Sequence, residues 1–149
     1  MEPVKLRPHH LLDIVRDFEP GRTIEPAESG NAVHEIHRIV GTDLDTMLTF
    51  VIDVDDICRP CRHLQEDGTC ERILERLNPP QRMQEYNDRL DSTLFSFLGL
   101  EPGASMSIRS FLEDIASRMP DIESVGTLQE ETKNRFRGLA KGLQNLGIV

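Results

Sequence analysis

The three cysteines of the chain lie in one short stretch and are the residues best suited to chemistry. Cys58 and Cys61 are separated by two residues, and Cys70 follows after eight more. Two cysteines at this spacing can direct both sulfur atoms at one ion, and a third can close over it after a short polar loop. Thiolates are preferred ligands of zinc, copper(I) and iron–sulphur clusters. The spacing therefore predicts a metal or cluster site.

A zinc site requires four ligands, so three cysteines leave one position for another residue. The candidates in the sequence are His9, His10, Asp13 and His63. His9 and Asp13 are four residues apart on the predicted first helix, so they share a face, and one could ligate while the other supports it. The residue types alone leave the choice of fourth ligand open.

Two other interpretations of the cysteines are open. The three thiols could be reduced, buried side chains without a metal, since free cysteine is often buried. Cys58 and Cys61 could also form a redox pair, because a C-x2-C spacing at a helix start lowers the pKa of a thiol. No thioredoxin-like βαβ pattern surrounds them. An odd number of cysteines cannot form a complete set of internal disulfides.

The composition indicates an acidic globular protein. The 149 residues include 17 basic and 26 acidic side chains, giving a net charge of -9. An acidic surface repels nucleic-acid backbones and anionic membranes, so we expect neither as a partner. The sequence shows no apolar run of membrane-spanning length and no hydrophobic signal-peptide core at its start, which favours a cytoplasmic location.

Apolar periodicity predicts a mainly helical α+β fold with five to six helices and a minimal two-stranded element beside the cysteine loop. Residues 48–55 alternate as a strand that leads into Cys58, and residues 4–6 are its predicted partner. Pro8 is placed to begin the first helix, and Ser107 to cap a later one. The helices are predicted at about residues 8–18, 26–40, 70–77, 79–98, 108–119 and from 127 onward.

We expect one metal-binding domain over residues 1–149, with a body at 1–119 and a C-terminal helical arm at 120–149. The arm carries an apolar stripe at three- and four-residue spacing, consisting of Phe136, Leu139, Leu143 and Leu146. This stripe could pack against the body or against a second copy of the chain, which makes a homodimer a candidate assembly. Gly138 and Gly142 would allow close approach of another helix.

The remaining polar clusters are weaker indicators. His34 and His37 share a helical face, which is more typical of a solvated surface than of a metal site. Asp55 and Asp56 precede Cys58 and could hydrogen-bond the amides that shape the cysteine loop. The sequence contains no recognised catalytic motif, so a binding role is favoured over an enzymatic one.

Residues 6–12 (LRPHHLL), residues 55–61 (DDICRPC) and the turn at residues 98–103 resemble a bacterial and archaeal family. This is domain-of-unknown-function family twelve eighty-four, whose members are described as candidate iron–sulphur or metal-binding proteins. The family usually has a cysteine directly after its His-His-Leu-Leu run, where this chain has Asp13. A carboxylate suits a cluster iron less than a thiolate does. The resemblance thus favours zinc here, with Asp13 or His9 as fourth ligand, and implies no reaction.

The leading hypothesis is a small protein that binds zinc structurally through Cys58, Cys61, Cys70 and a histidine or aspartate of the first helix. The alternatives are an iron–sulphur cluster or redox protein, and a helical interaction module without metal. These hypotheses differ in the metal content and oligomeric state that they predict.

Overall fold

The computed structural model describes residues 2–127 and 135–148. Within them the chain forms five strands and six helices, which confirms the α+β class. The strands are β1 (Val4–Leu6), β2 (Met47–Phe50), β3 (Ile73–Leu74), β4 (Gln81–Arg82) and β5 (Ser105–Ser107). The helices are α1 (Pro8–Arg16), α2 (Val33–Thr42), α3 (Met83–Leu98), α4 (Ile108–Ser117), α5 (Glu123–Thr127) and α6 (Leu139–Asn145).

The central sheet has the order β1-β2-β5, with β1 parallel and β5 antiparallel to β2. The predicted pairing of the first two strands is correct, and β5 is an additional short strand. β2 ends at Phe50, earlier than predicted. The N–H of Val51 still donates to the carbonyl of Leu6, 3.0 Å away. Beyond that point β1 gives way to α1, so residues 51–54 lose their strand partner and the chain bends toward the cysteines.

Local signals set several helix ends as the sequence predicts. Pro8 occupies the first turn of α1, where a missing N–H costs nothing. The Ser107 hydroxyl oxygen accepts the N–H of Ser110 at 3.0 Å and caps α4. Gly99 ends α3 with a positive φ of 67°, a conformation that favours glycine.

The helix predicted at residues 70–77 is wrong. Ile73 and Leu74 instead form β3, which pairs antiparallel with β4 across the turn that contains Pro79 and Pro80. A residue that precedes proline is disfavoured in the α conformation, so Pro79 does not start a helix and α3 begins at Met83.

α2 is shorter than predicted because the residues before it form a turn. Gly30 adopts a positive φ of 83°. The Asn31 side-chain oxygen then accepts the N–H of Val33 at 3.1 Å, and the helix begins there rather than near residue 26.

The C-terminal segment packs on α1. Gly142 of α6 lies directly against the backbone of Val15, so closely that an added Cβ would be 2.7 Å from the Val15 carbonyl carbon. Phe136, Leu139 and Leu143 are buried in the core. Packing within the chain therefore accounts for most of the apolar stripe, and the homodimer stays a prediction. The helix start predicted at residues 127–130 falls largely outside the described residues.

Arg135 links this segment to the body. It donates to the Asp13 carboxylate, with 2.8 Å between Nη2 and Oδ2. Its guanidinium carbon also lies 5.8 Å from the centre of the Tyr86 ring, and Nη1 is 3.5 Å from the Tyr86 hydroxyl. Asp13 thus joins α1 to the chain ahead of α6.

No helix within the described residues has both the length and the apolar character needed to cross a membrane.

Candidate metal centre

All three cysteines line one cavity of about 210 Å³. His10 of α1 lines the same cavity, together with residues of the cysteine loop and of α3. The three thiols are half-buried and none is in a disulfide. The structure therefore brings together four of the residues that the sequence singles out, although they come from segments up to 60 residues apart.

Backbone contacts place the second and third cysteines. The N–H of Cys61 donates to the Cys58 carbonyl at 2.9 Å, which folds the C-x2-C segment into a turn. Cys70 forms an isolated antiparallel bridge with Leu64, so the intervening loop closes on itself at the Asp67-Gly68 turn. The Cys70 N–H donates to the side chain of Gln84 on α3 at 2.9 Å. The loop is therefore anchored at both ends.

Asp55 is the hub of the site and is completely buried. Its Oδ1 accepts the N–H groups of Ile57 and Cys58 at 3.1 and 3.0 Å. Its Oδ2 accepts the N–H of Arg7 at 2.8 Å and lies 2.7 Å from Nδ1 of His10. A carboxylate offers about four acceptor sites, so this set of contacts uses them all. The sequence-based expectation that Asp55 shapes the loop through its amides is confirmed.

The pairing with Asp55 fixes how His10 presents its ring. With Nδ1 directed at the carboxylate, Nε2 is the nitrogen left to bind a ligand. Burial lowers the pKa of His10, but the charge and hydrogen bond of Asp55 outweigh it and raise the pKa overall. Burial in turn raises the pKa of Asp55, and the contacts with His10 and the backbone overcome this and hold it at about 2.

His10, Asp55 and Cys58 form a group that could hold a metal ion. One donor atom from each lies within 4.8 Å of the others. No other group of three such donors this close occurs among residues 2–127 and 135–148. The combination of sulfur, imidazole nitrogen and carboxylate oxygen does not by itself determine which metal would bind.

The surroundings of Cys58 raise the pKa of its thiol and so make the free thiol less reactive. Burial, followed by the charge of Asp55, raises the pKa of Cys58 to about 12, and nearby Arg7 offsets this only partly. The thiol is therefore protonated at neutral pH unless a cation replaces the proton. A nucleophilic or redox cysteine needs the opposite shift. This observation disfavours the interpretation as a redox pair.

The other predicted ligands point elsewhere. The Nδ1 of His9 lies 2.9 Å from Asp91 on α3, and His9 is only 1 % exposed. Asp13 accepts hydrogen bonds from Arg16 and Arg135. The Nδ1 of His63 lies 3.1 Å from a carboxylate oxygen of Glu71. None of the three lines the cysteine cavity.

Burial lowers the pKa of His9 despite its contact with Asp91, which favours the neutral imidazole. Burial would raise the pKa of Asp91, but the hydrogen bonds from His9 and the charge of Arg7 keep that pKa low. Arg7 donates from Nη1 to Asp91 at 3.0 Å and from Nη2 to Asp88 at 2.8 Å. His9 therefore belongs to a buried network that fixes α1 against α3.

Sequence reasoning missed Asp91. The one signal for it is a carboxylate within the apolar stripe of α3, next to Leu90 and three residues before Leu94. It also missed the segment before α2. There the N–H of Ala32 donates to the Ile57 carbonyl at 2.9 Å, and Ser29 accepts the N–H of Arg62 at 2.8 Å. This segment fixes the outer side of the cysteine loop.

Comparison with curated protein sequences finds no match, and comparison with solved structures also finds none. A family model described as "Protein of unknown function (DUF1284)" matches residues 29–128. The matched region includes Asp55 and all three cysteines but begins after α1, which carries His10. Because the match spans more than half of the sequence, the chain belongs to this family of proteins of unknown function.

Proposed function

We propose that this protein binds one zinc ion through the thiolates of Cys58, Cys61 and Cys70 and through Nε2 of His10. The observation that carries the proposal is the convergence of these four side chains on one cavity, with Nδ1 of His10 already directed at Asp55. Three sulfur donors and one imidazole nitrogen are a common donor set of tetrahedral structural zinc sites.

Asp55 supports this site rather than completing it. Its Oδ1 already accepts two backbone N–H groups, and its Oδ2 accepts one backbone N–H and contacts the His10 ring. Ligation would require it to give up some of these contacts in a buried place. A carboxylate on the far nitrogen of a ligating imidazole fixes the ring and raises its basicity. The proposed role of Asp55 is therefore to position His10 and the amides of the cysteine loop.

The role of the ion would be structural. Four protein ligands leave no open position for a substrate. The ion would join α1 to both ends of the cysteine loop. Because the Cys70 N–H donates to Gln84, the ion would also link α1 to α3. Since the raised pKa of Cys58 keeps the metal-free thiol protonated, zinc binding should release protons and weaken at low pH.

Elemental analysis of protein purified without chelator tests the proposal, with His10→Gln and His9→Gln as a matched pair. Both substitutions remove an imidazole that contacts an aspartate. We expect about one zinc per chain in the natural protein and in His9→Gln. In His10→Gln, competition with a chromophoric chelator should show zinc affinity reduced by at least about 100-fold. Asp55→Asn should lower it by about 10- to 100-fold.

Stoichiometric zinc retained in His10→Gln but lost in Asp13→Ala or His9→Gln would assign the fourth position to one of those residues instead. Iron with acid-labile sulfide and a brown colour would replace zinc with an iron–sulphur cluster on the same thiolates. Metal-free protein that folds and stays metal-free when zinc is supplied would refute the proposal.

A further inference from the structure

A separate cavity of about 360 Å³ lies between α2 and the segment that follows α1. Phe18 and Ile24 contribute apolar surface to it, and α2 contributes His34, His37 and Arg38. This volume falls within the range of small-molecule sites, about 300–1,000 Å³. None of these residues takes part in the proposed zinc site.

The lining concentrates positive charge in a chain whose net charge is -9. Arg22 and Arg38 both line the cavity and are exposed. Neither guanidinium has an ion-pair partner within the described parts of the chain. The nearby Asp17 is already held by Arg16, whose Nε and Nη2 donate to its two oxygens at 2.9 and 2.8 Å. The two guanidiniums are therefore available to a ligand.

One carboxylate also lines the cavity, that of Glu35. Its side chain is 63 % exposed and lies 3.9 Å from Nε2 of His34. A carboxylate this exposed is largely screened by water. The lining therefore contains two guanidiniums and two imidazoles against one solvated carboxylate, which favours an anionic ligand.

One of the two imidazoles supplies a buried polar atom. Nδ1 of His34 is buried and is the only buried side-chain nitrogen or oxygen without a hydrogen-bond partner among the described residues. A buried polar atom without a partner costs free energy that a ligand group could recover. His37 is 7 % exposed, and its ring centre lies 5.5 Å from that of Phe18. Burial, followed by the charge of Arg22, lowers the pKa of His37, and both residues line the cavity.

We propose that this cavity binds a small organic anion whose charged group lies between Arg22 and Arg38 and whose apolar part packs on Phe18 and Ile24. Carboxylates and phosphate monoesters share the required chemistry, because the planar guanidinium fork matches the oxygens of both. The imidazoles of His34 and His37 supply hydrogen bonds at the inner end. The inference does not depend on the proposed zinc site.

Titration of the full chain with phenyl phosphate, benzoate and inorganic phosphate tests the inference. Nuclear magnetic resonance of the imidazole groups follows binding, and the ring of His63 serves as an internal reference outside the cavity. We expect saturable shifts at His34 and His37 but not at His63. Tighter binding of phenyl phosphate than of benzoate would identify a phosphate site, and the reverse a carboxylate site. Inorganic phosphate should bind more weakly than phenyl phosphate.

Arg22→Gln and Arg38→Gln should each weaken binding of the preferred probe by about tenfold, the effect of losing one charge-assisted hydrogen bond. Arg109→Gln makes the same charge change outside this cavity and should leave binding unchanged. Because Arg22 and Arg38 are exposed, the variants should keep the natural melting temperature.

Absence of saturable shifts with all three anions would overturn the inference. Equal weakening in Arg22→Gln and Arg109→Gln would also overturn it, since it would show attraction to overall charge alone. So would equally tight binding of benzyl alcohol, which is neutral. Equal binding of inorganic and phenyl phosphate would overturn it as well, since the apolar part of the ligand would then contribute nothing.

Discussion

His9 and His10 are neighbours on α1, their ring centres lie 4.3 Å apart, and the Nδ1 of each contacts an aspartate. Their surroundings nevertheless differ. His9 is buried beside Arg7 and the carboxylate of Asp91, whereas His10 borders the cysteine cavity and its side chain is 17 % exposed. Successive residues on a helix point about 100° apart, so one ring reaches α3 and the other the cysteine loop.

The difference shows that a histidine–aspartate pair does not define a function by itself. Around His9 the pair is buried on all sides and holds two helices together. Around His10 the same pair leaves one ring nitrogen for a ligand in a cavity that all three cysteines line. The surroundings of the ring, a buried network for His9 and a cavity for His10, decide whether such a pair is structural or able to bind a ligand. This comparison makes predictions that separate stability from metal binding.

Asp91→Asn should have the largest effect on stability. Asp91 is completely buried and accepts from Arg7 and from the backbone and ring of His9. Its neutral replacement leaves the buried Arg7 with only Asp88 as an anionic partner, so the free energy of unfolding should fall by about 3 kcal/mol. Urea denaturation measures this change.

Asp114→Asn is the matched control, because it removes the same charge from a partly exposed pair with Arg118. It should change the free energy of unfolding by less than about 1 kcal/mol. The folded fraction of Asp91→Asn should keep its zinc. Loss of zinc from the folded protein would show that the two histidine sites are one coupled unit.

Gly142→Ala should come next. The added Cβ collides with the carbonyl of Val15 on the side of α1 that faces α6, and overpacking of this kind costs about 2 kcal/mol. Thermal unfolding would detect the loss. The exposed neighbour Lys141→Ala should change stability by no more than about 0.5 kcal/mol. Equal effects of the two substitutions would contradict the close packing of α6 on α1.

Ser107→Ala should cause a smaller loss of stability through a residue that belongs to neither histidine–aspartate pair. It removes the cap of α4, where Ser107 accepts the N–H of Ser110. The free energy of unfolding should fall by about 1 kcal/mol, with zinc affinity unchanged. A drop in zinc affinity would mean that affinity follows global stability, and would weaken the interpretation of the His10→Gln result.

The smallest effects concern the pH dependence of the metal-free protein. The raised pKa of His10 stabilises the fold below about pH 6.5, and this stabilisation is lost as the pH rises through the folded-state pKa. The lowered pKa of His9 acts in the opposite direction, because its contribution is lost as the pH falls below about 6.5.

Urea unfolding from about pH 5 to about pH 8 can resolve the two contributions. The stability difference between the natural protein and His10→Gln should shrink as the pH rises. The difference for His9→Gln should shrink as the pH falls. Slopes of the same sign would show that the two rings share one environment, contrary to the structure.

The cysteine spacing is enough to predict that the three cysteines lie around one site, and they do line one cavity, because a C-x2-C turn and a loop closed at Asp67-Gly68 are local features. The choice between His9 and His10 is not local. It depends on Asp91, which lies 82 residues beyond His9 and occupies the side of α1 to which that ring points. The ligation itself stays a prediction until the metal content is measured.

The same distinction applies to the fold. Pro8, Gly99 and Ser107 mark helix ends through their own backbone or side-chain chemistry, and these ends are predicted correctly. β5 consists of Ser105, Met106 and Ser107 and has no apolar alternation of its own. It becomes a strand only because β2 offers an open edge. The helix predicted at residues 70–77 fails for the same reason, since pairing with β4 outweighs its helical spacing.

The contact between Tyr86 and Arg135 also gives the protein an intrinsic spectroscopic probe. The chain has one tyrosine and no tryptophan. Tyr86 is buried beside the guanidinium of Arg135, which precedes α6 in the chain. Ultraviolet emission from the Tyr86 phenol therefore reports on packing of the C-terminal segment. With no indole absorption, charge-transfer bands from thiolates to cobalt or iron would stand out. Emission and absorption spectra could therefore follow the C-terminal segment and the cysteine cavity separately, without an added label.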